Sequence, residues 1–380
     1  MKILLLDAAF SALPIYKSLK DSGHDVWVMG NRPTDILAVK ARDKWIQQDY
    51  SKVDAVSKII DHHGFDYVVP GCTDISMATC VNLQLSTGLM DSPQSNEAIS
   101  NKFAFRRLCK ELDLPAPKSF IEADFPMKGR YICKPVDGFS GRGVTVFSGE
   151  DICALQEAVR LAKNSTPLSD VVIESFIAGE LHSCSAFVES GRLVKVFYVR
   201  EGSSANPYAV DTSYVVHDLP LTCTTVLEAG IIKLCSFLKL KDGLIHTQFI
   251  ISDGCPMIVE MTRRCPGDLY SMLIEYSTGY PYASKFSSYF INKHVEFSAN
   301  DMHNFVLRHT VTSDVHNVYE AIYFKEKVCV KSFYPLNSIG EIMLPRQGSR
   351  AGILFAEYDG YNMMRDGYDD FLNRNVYILS

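Results

Sequence analysis

The sequence predicts an α/β plus α+β protein: an N-terminal domain with a doubly wound parallel sheet, followed by a region of α+β character. Three observations lead to this prediction. Strand and helix signals alternate over residues 1–95, a hairpin at 131–147 has a long glycine-rich tip, and short alternating strand patterns recur after residue 181. Strands separated by helices form parallel sheets, whereas strands joined by short turns pair antiparallel.

Composition is that of an ordinary soluble globular protein. The 380 residues are 47% hydrophobic and 22% charged, and no apolar run approaches the ~18 residues of a membrane span. A net charge of −6 without a basic run argues against nucleic acid as a partner. The 11 cysteines include no C-x-x-C pair, which favours free thiols in a reducing cytosol over a zinc site. Because Asp7 interrupts the apolar start, we interpret it as a strand and expect a cytoplasmic protein.

The N-terminal domain is predicted from strands at 3–6, 26–29 and 67–69. A helix with Ser11 as its cap and Pro14 in its first turn separates the first two strands, and a helix at 54–63 precedes the third. Ligand loops in such sheets follow the carboxyl ends of the strands, here at 7–11, 30–34 and 70–74. Neither G-x-G-x-x-G nor G-x-x-x-x-G-K-[ST] occurs, which excludes the dinucleotide fingerprint and the P-loop as motifs.

The hairpin at 131–147 contains more glycine than a chain reversal needs. Backbone N–H groups of a glycine-rich loop suit anionic oxygens, and a lysine held beside a proline adds a fixed positive charge. The residues in question are Lys134, Pro135, Gly138, Ser140, Gly141, Arg142 and Gly143. The pattern therefore indicates a phosphate-binding loop; the alternative is a flexible surface hairpin with an incidental lysine.

Further polar residues follow in a fixed order along the chain. A helix over 96–117 carries Lys102, and an apolar strand at 171–177 holds a single charge, Glu174. A hairpin over 244–261 runs directly into Glu260-Met-Thr-Arg-Arg264. A charge inside an apolar strand is costly unless it is paired or functional. Taken singly, these residues are compatible with a solvated helix lysine, a buried ion pair and a strand-end carboxylate.

Together, these parts resemble the ATP-grasp superfamily, in its carboxylate–amine ligase branch, over roughly residues 1–290. The branch is similar to biotin carboxylase, carbamoyl-phosphate synthase and amino-acid ligase enzymes. The resemblance implies an ATP-grasp fold of two α+β subdomains after the N-terminal domain. The implied domains are 1–95 (pre-ATP-grasp), 96–180 (small subdomain with a glycine-rich lid), 181–295 (large subdomain with a metal site) and 296–380 (antiparallel).

The resemblance also implies roles for individual residues. The implied ATP-binding residues are Lys102, Lys134, Gly138, Ser140, Gly141, Arg142, Gly143, Glu174, Phe176, Ile177, Glu180 and His182. Among them, Glu174 would accept the adenine amino group and Phe176–Ile177 would form the backbone hinge against the base. Either Glu180 or His182 would contact ribose or phosphate. His182 and His246 are equally compatible with core histidines.

The implied metal ligands are Gln248, Glu260 and Thr262, and the implied catalytic residues are Lys134, Arg263 and Arg264. The family usually presents Glu and Glu-x-Asn to Mg²⁺, so this chain offers one carboxylate where two are common. Amide and hydroxyl oxygens are still hard ligands that suit magnesium. Arg263 and Asp268 would orient the second substrate.

The resemblance implies an ATP-dependent carboxylate–amine ligase that forms an amide through an acyl phosphate, with Mg²⁺ as cofactor. Its partners would be ATP and small-molecule carboxylate and amine substrates, with no nucleic acid and no membrane; a homodimer is left open. One alternative is a nucleotide-binding regulatory protein with a degenerate metal site. The other is a bicarbonate-using carboxylase-type enzyme.

Overall fold

The computed structural model describes residues 1–86, 88–136, 138, 141–166, 170–293, 295 and 303–380. Its first sheet is parallel, with strand order β3-β2-β1-β4. The strands are β1 (Lys2–Leu6), β2 (Asp25–Gly30), β3 (Trp45–Gln47) and β4 (Tyr67–Pro70). The helices up to the second sheet are α1 (Leu13–Asp21), α2 (Ile36–Ala41), α3 (Val53–His63), α4 (Asp74–Asn82), α5 (Pro93–Ser100) and α6 (Lys102–Glu111). The prediction of a parallel N-terminal sheet is confirmed.

Two local details differ from the sequence prediction. Ser11 lies inside a short 3₁₀ turn, and α1 follows Ala12, so Ser11 does not cap that helix. Helix α4 was not predicted; the Thr73 side chain caps it by accepting the Ser76 N–H. This cap places Asp74 at the first position of α4, at the end of the short loop that follows the carboxyl end of β4.

The second sheet is antiparallel, with strand order β5-β8-β6-β7. Its strands are β5 (Ser119–Phe120), β6 (Arg130–Pro135), β7 (Thr145–Ser148) and β8 (Val171–Ser175), and helix α7 (Ile152–Lys163) packs on it. The predicted hairpin is present as β6 and β7. Phe125, Tyr131 and Phe147 pack edge-on or tilted at its base, with ring centroids 4.8–5.9 Å apart.

The third sheet has eight antiparallel strands in the order β13-β12-β9-β10-β11-β14-β19-β17. The first five in sequence are β9 (Glu180–Glu189), β10 (Arg192–Gly202), β11 (Thr212–Val216), β12 (Gly243–Ser252) and β13 (Cys255–Thr262). Three C-terminal strands extend the same sheet: β14 (Phe305–Val311), β17 (Val330–Pro335) and β19 (Gly352–Tyr358). Short strands β15 (Asn317–Val318) and β18 (Ile342–Met343) pair, as do β16 (Ile322–Phe324) and β20 (Tyr377–Leu379).

The large sheet has two differently covered faces. Helix α8 (Leu221–Leu238) packs on one face, against Cys184, Ala186 and Phe249. Helices α9 (Tyr270–Thr278) and α10 (Tyr282–Ser288) lie over the other, where Ser183 and Ser185 face them. Helix α11 (Tyr361–Leu372) packs beside β11 and β14. Because side chains alternate along a strand, neighbouring residues of β9 belong to opposite faces.

Helix α8 is the one helix of the described residues whose length and composition would allow a membrane span. Core helices of soluble proteins meet the same criterion. One side of α8 packs into the large sheet through Leu227, Ile231 and Leu234.

Candidate nucleotide and metal site

A buried ion triad connects the second sheet with helix α6. Glu174 on β8 is 1% exposed, and its Oε2 accepts a hydrogen bond from Lys134 Nζ at 2.8 Å. Its Oε1 accepts from Arg106 Nε, and Arg106 Nη2 donates to the Val259 carbonyl of β13. Residues Gln248 and Glu260 pair directly, while the next pair is Phe249 and Ile258, so Val259 forms a bulge. Arg106 therefore ties the Lys134 strand to the strand that carries Glu260.

The triad keeps Glu174 ionised. Burial raises the pKa of Glu174, but the charges and hydrogen bonds of Lys134 and Arg106 outweigh burial, and the net pKa shift is downward. Both carboxylate oxygens already accept a hydrogen bond from a cationic side chain. The buried-ion-pair alternative for Glu174 is therefore what the structure contains. Acceptance of the adenine amino group by Glu174 remains a prediction that needs a second lone pair of one oxygen.

Lys102 holds the base of the glycine-rich loop. Its Nζ donates to the carbonyl oxygens of Gly138 at 2.7 Å and Val136 at 3.3 Å. Gly141 has a φ of +71°, and a Cβ there would lie 2.8 Å from Cβ of Tyr208, in the β10–β11 connection. Only glycine combines that backbone conformation with so close an approach. The loop thus lies against the large sheet's connecting segment, beside the triad.

The other described residues predicted for the glycine-rich loop and for the hinge belong to the same sheet as the triad or to the segments next to it. Gly143 also has a positive φ, and Arg142 is exposed; Ser140 lies outside the described residues. Strand β8 ends at Ser175, so Phe176–Ile177 leaves the sheet where the hinge is predicted. The Phe176 N–H donates to the Arg130 carbonyl at 3.0 Å, and the Arg130 guanidinium lies 4.4 Å from the Phe176 ring centroid.

Glu180 and His182, one of which is predicted to contact nucleotide, lie on the α8 face of the sheet, opposite the face of the predicted metal ligands, and the contact stays a prediction. His182 opposes Phe249 and its ring stacks on that ring at 5.6 Å, whereas the adjacent Ser183 opposes Gln248. Burial lowers the pKa of His182 to about 4. Glu180 is exposed and lies 3.4 Å from Arg200. The core-histidine alternative is correct for His182.

The predicted metal ligands lie in register on the opposite face. Gln248 opposes Glu260, and His246 opposes Thr262, so all three ligand side chains share one face of β12 and β13. Glu260 is exposed. His246 is buried, donates to or accepts from Ser185 Oγ at 2.9 Å, and its pKa falls to about 3 because of burial and the charge of Arg264. It is therefore neutral and part of the core.

Gln248 has a charged neighbour that the sequence analysis did not identify. Its Nε2 donates to Glu201 Oε2 at 2.7 Å. Glu201 is 4% exposed, near the end of β10. Burial raises the pKa of Glu201 to about 7, against the opposing effects of hydrogen bonds from Ser183 and Gln248 and the charge of Arg308.

Arg264 joins this face to the N-terminal domain. Its Nε donates to Asp74 Oδ1 at 2.7 Å, and Thr262 Oγ1 donates to the same oxygen at 3.3 Å. Burial raises the pKa of Asp74, but the charge of Arg264 outweighs it and the net shift is downward. Asp74 belongs to the 70–74 loop predicted to bind a ligand. Arg264 is thus held at the cleft side of the sheet, next to Thr262.

Arg263, predicted to be catalytic, is held in a buried ion pair away from the other predicted catalytic residues. Its side chain is 7% exposed, and its donors are taken by Asp91 at 2.7 Å, the Leu244 carbonyl at 2.8 Å and the Lys241 carbonyl at 2.7 Å. Strand alternation turns it away from Thr262 and Arg264. Arg263 is a structural ion pair between the large sheet and the segment before α5.

Asp268 lies between two arginines. Arg308 Nη2 is 3.6 Å from its Oδ2, Arg350 Nη1 donates to its Oδ1 at 3.0 Å, and Arg308 Nε donates to its main-chain oxygen at 2.6 Å. Arg308 is buried, whereas Asp268 and Arg350 are about 40% exposed. Two guanidinium groups thus converge on the one carboxylate of Asp268, and guanidinium groups suit an anionic group.

The donor set is compatible with Mg²⁺ that arrives with a nucleotide. Among the residues that the structure describes, no three Asp, Glu, His or Cys side chains form a metal-binding group. The amide of Gln248, the carboxylate of Glu260 and the hydroxyl of Thr262 nevertheless bring three hard oxygen ligands to one face. Mg²⁺ usually keeps few protein ligands and takes the rest from phosphate and water.

Comparisons with known proteins agree with the fold. No family model matches the chain, and no curated protein matches its sequence. Solved structures match along its whole length. L-amino acid ligase from Bacillus licheniformis is 18% identical with a TM-score of 0.79, and the alignment covers 100% of this chain and 98% of that one.

Two further structures agree. Phosphoribosylglycinamide synthetase from Anaerococcus prevotii is 15% identical with a TM-score of 0.77, covering 100% of this chain and 99% of that one. N5-carboxyaminoimidazole ribonucleotide synthetase from Thermotoga maritima is 14% identical with a TM-score of 0.71, covering 99% and 98%. The chain has the ATP-grasp fold, which confirms the fold predicted from sequence.

Proposed function

We propose that the protein is an ATP-dependent carboxylate–amine ligase of small molecules, which forms an acyl phosphate and releases ADP and phosphate. The observation that carries this proposal is the register of β12 and β13. It sets Gln248 against Glu260 and leaves Thr262 and Arg264 on the same face. Hard oxygens beside a fixed guanidinium are what phosphoryl transfer to a carboxylate requires.

Each residue's part follows from its surroundings. Lys134 carries a positive charge at the entrance of the glycine-rich loop, where phosphates would bind. Gln248, Glu260 and Thr262 would hold Mg²⁺, which neutralises charge on the β- and γ-phosphates when bound. Arg264, oriented by Asp74, would hold the transferred phosphoryl group and the acyl oxygen. Arg308 and Arg350 would bind a substrate carboxylate next to Asp268.

The similar structures support the same class: they are an L-amino acid ligase and two synthetases. We extend this to the present chain only as a class of reaction. We further propose a cytoplasmic location, ATP and small carboxylate and amine substrates as its partners, and leave a homodimer open.

A second candidate is a nucleotide-binding regulatory protein. It is favoured by one observation, that Glu260 is the single carboxylate among the three predicted ligands. Such a protein would bind Mg-ATP without consuming it. A bicarbonate-using enzyme is a third candidate and would release ADP with bicarbonate alone.

Hydroxylamine trapping tests the proposal. The protein is incubated with Mg-ATP, hydroxylamine and pools of L-amino acids or other small carboxylic acids, and ADP and hydroxamate are measured together. Equal amounts of both are expected with one pool, and neither with Glu260→Gln. ADP absent from every pool would favour the regulatory protein; ADP with bicarbonate and no hydroxamate would favour the third candidate.

A further inference from the structure

The side chain of Glu201 lies behind the predicted metal ligand Gln248. Glu201 opposes Ser213 on β11, which in turn opposes Arg308 on β14. Ser183 on β9 opposes both Gln248 and Val199, and Val199 is two residues before Glu201 on β10. Since side chains two apart share a face, Glu201 lies on the face that carries Gln248 and Glu260. The 2.7 Å hydrogen bond from Gln248 Nε2 to Glu201 confirms this placement.

This hydrogen bond fixes which way the amide of Gln248 is turned. Oε2 of Glu201 accepts this hydrogen bond, so the NH₂ group of Gln248 faces Glu201. Glu201 lies on the β9–β10 side of Gln248, whereas Glu260 lies on the β13 side. The amide oxygen of Gln248 is consequently turned away from Glu201. It is available, together with the exposed carboxylate of Glu260, to a cation in the cleft.

The same contact places a carboxyl group behind position 248, which carries none. Gln248 has a neutral amide where the family that the chain resembles usually has a carboxylate. The carboxyl group of Glu201 lies buried behind this amide, on the β9–β10 side of the sheet. A hydrogen bond from the amide nitrogen to a carboxylate increases the negative charge on the amide oxygen. Residues that orient and polarise a ligand in this way commonly change metal affinity by about 10–100-fold.

We propose that Glu201 is a positioning residue of the metal site, which accepts the hydrogen bond from Gln248 Nε2 and so orients the Gln248 amide oxygen toward Mg²⁺. The proposal rests on the proposed function, since it assigns a residue to the metal site of the same reaction. It also changes the expected effect of placing a carboxylate at position 248. Gln248→Glu alone places two carboxylates 2.7 Å apart, so the single change does not simply strengthen the site.

The test uses Mn²⁺ in place of Mg²⁺ and a non-hydrolysable ATP analogue, with bound Mn²⁺ measured by electron paramagnetic resonance. Four full-length proteins are compared: wild type, Glu201→Gln, Gln248→Glu and the exchange variant Glu201→Gln/Gln248→Glu. Glu228→Gln is the matched control. Glu228 lies on helix α8 and accepts a hydrogen bond from Tyr198, which is on the same strand as Glu201 but on the opposite face of the sheet. Melting temperature and analogue affinity verify that each variant folds and binds nucleotide.

Glu201→Gln is expected to weaken Mn²⁺ binding to the analogue complex about 10–100-fold. The exchange variant should bind Mn²⁺ within about threefold of the wild-type affinity, because the variant again has one carboxyl group and one amide at the two positions. Glu228→Gln should leave it unchanged. Unaltered Mn²⁺ affinity in Glu201→Gln, or an exchange variant as weak as Glu201→Gln, overturns the role of Glu201 and leaves the ligase proposal intact. A wild type that binds no analogue overturns both proposals.

Discussion

Asp74 Oδ1 lies 2.7 Å from Arg264 Nε, so a residue of the N-terminal domain holds the arginine next to the candidate metal strand. Thr262 donates to the same oxygen at 3.3 Å. The first domain is therefore part of the candidate site and not only a support for it. Its helix α4 begins at Asp74 because Thr73 caps it, which fixes where the carboxylate stands.

Asp74→Asn should reduce ADP formation by about 10-fold or more, because small displacements of a group that positions the reacting atoms are costly. Nucleotide affinity should change little, since the triad and the loop are untouched. Rates and analogue dissociation constants are the two measurements. Asp61→Asn, on the exposed side of α3, is the control. If Asp74→Asn and Asp61→Asn behave alike, Arg264 does not depend on Asp74.

Lys134→Ala should remove most of the thermal stabilisation that Mg-ATP gives the wild type. A ligand at 100 times its dissociation constant stabilises a fold by about 2.7 kcal/mol. The ligand-induced shift is compared between proteins, because loss of the contact with Glu174 also lowers the starting melting temperature. Lys163→Ala, whose side chain is about half exposed, should keep the full shift. An undiminished shift in Lys134→Ala would remove the loop from the nucleotide site.

Glu174→Gln should lower the free energy of unfolding by about 3–5 kcal/mol, as is usual when one partner of a buried ion pair is removed. Arg106 and Lys134 would then be two cations without the carboxylate between them. Urea denaturation measures the change. Glu157→Gln breaks the exposed pair with Arg160 and should have little effect.

A stable Glu174→Gln protein would let the adenine prediction be examined as well. If Glu174 contacts the base, ATP affinity should fall more than GTP affinity, because an amide of either orientation replaces an acceptor. Equal losses for the two nucleotides would mean that Glu174 serves the ion triad alone.

His182→Phe should make the protein less sensitive to acid. The pKa of His182 is about 4 in the fold and 6.5 in the unfolded chain, so the unfolded chain binds more protons between these values and stability falls as pH drops from 6.5 to 4. The loss is about 3 kcal/mol for this one group. The phenylalanine variant keeps the ring stacked on Phe249 and lacks this loss. Urea denaturation at pH 7 and pH 4.5 tests it; an identical pH dependence in both proteins would contradict the burial of His182.

The order of the motifs was sufficient to predict the fold. Alternation of strands and helices gave the parallel sheet, and the Lys-Pro strand, glycine loop and Glu-x-Thr-x-Arg ending gave the ATP-grasp arrangement. Gln248 and Glu260 could be paired from sequence because they lie on the two strands of one hairpin, on either side of its turn. The faces of strands without such a landmark could not be assigned, which is why the buried positions of His182 and Arg263 could not be predicted in the same way.

The partners of the site residues could not be predicted from sequence. Asp74 meets Arg264 across 190 positions of the chain, and Arg106 meets Glu174 across 68. Lys102 and Arg106, one helical turn apart, gave a faint signal that α6 faces the site. Glu201 gave none, because a glutamate near the end of a strand is most often solvated.

Transfer of oxygen from substrate to phosphate tests the central claim most directly. The carboxylate pool that yields ADP is prepared with ¹⁸O in its carboxyl groups, and the phosphate released in the presence of Mg-ATP and the amine is analysed by mass spectrometry. If Glu260 and Arg264 support attack of a carboxylate on the γ-phosphoryl group, each released phosphate carries one ¹⁸O atom. Glu260→Gln should then abolish the formation of both ADP and labelled phosphate. Phosphate released without ¹⁸O would contradict the account, because ATP would then be cleaved by water instead of by the carboxylate.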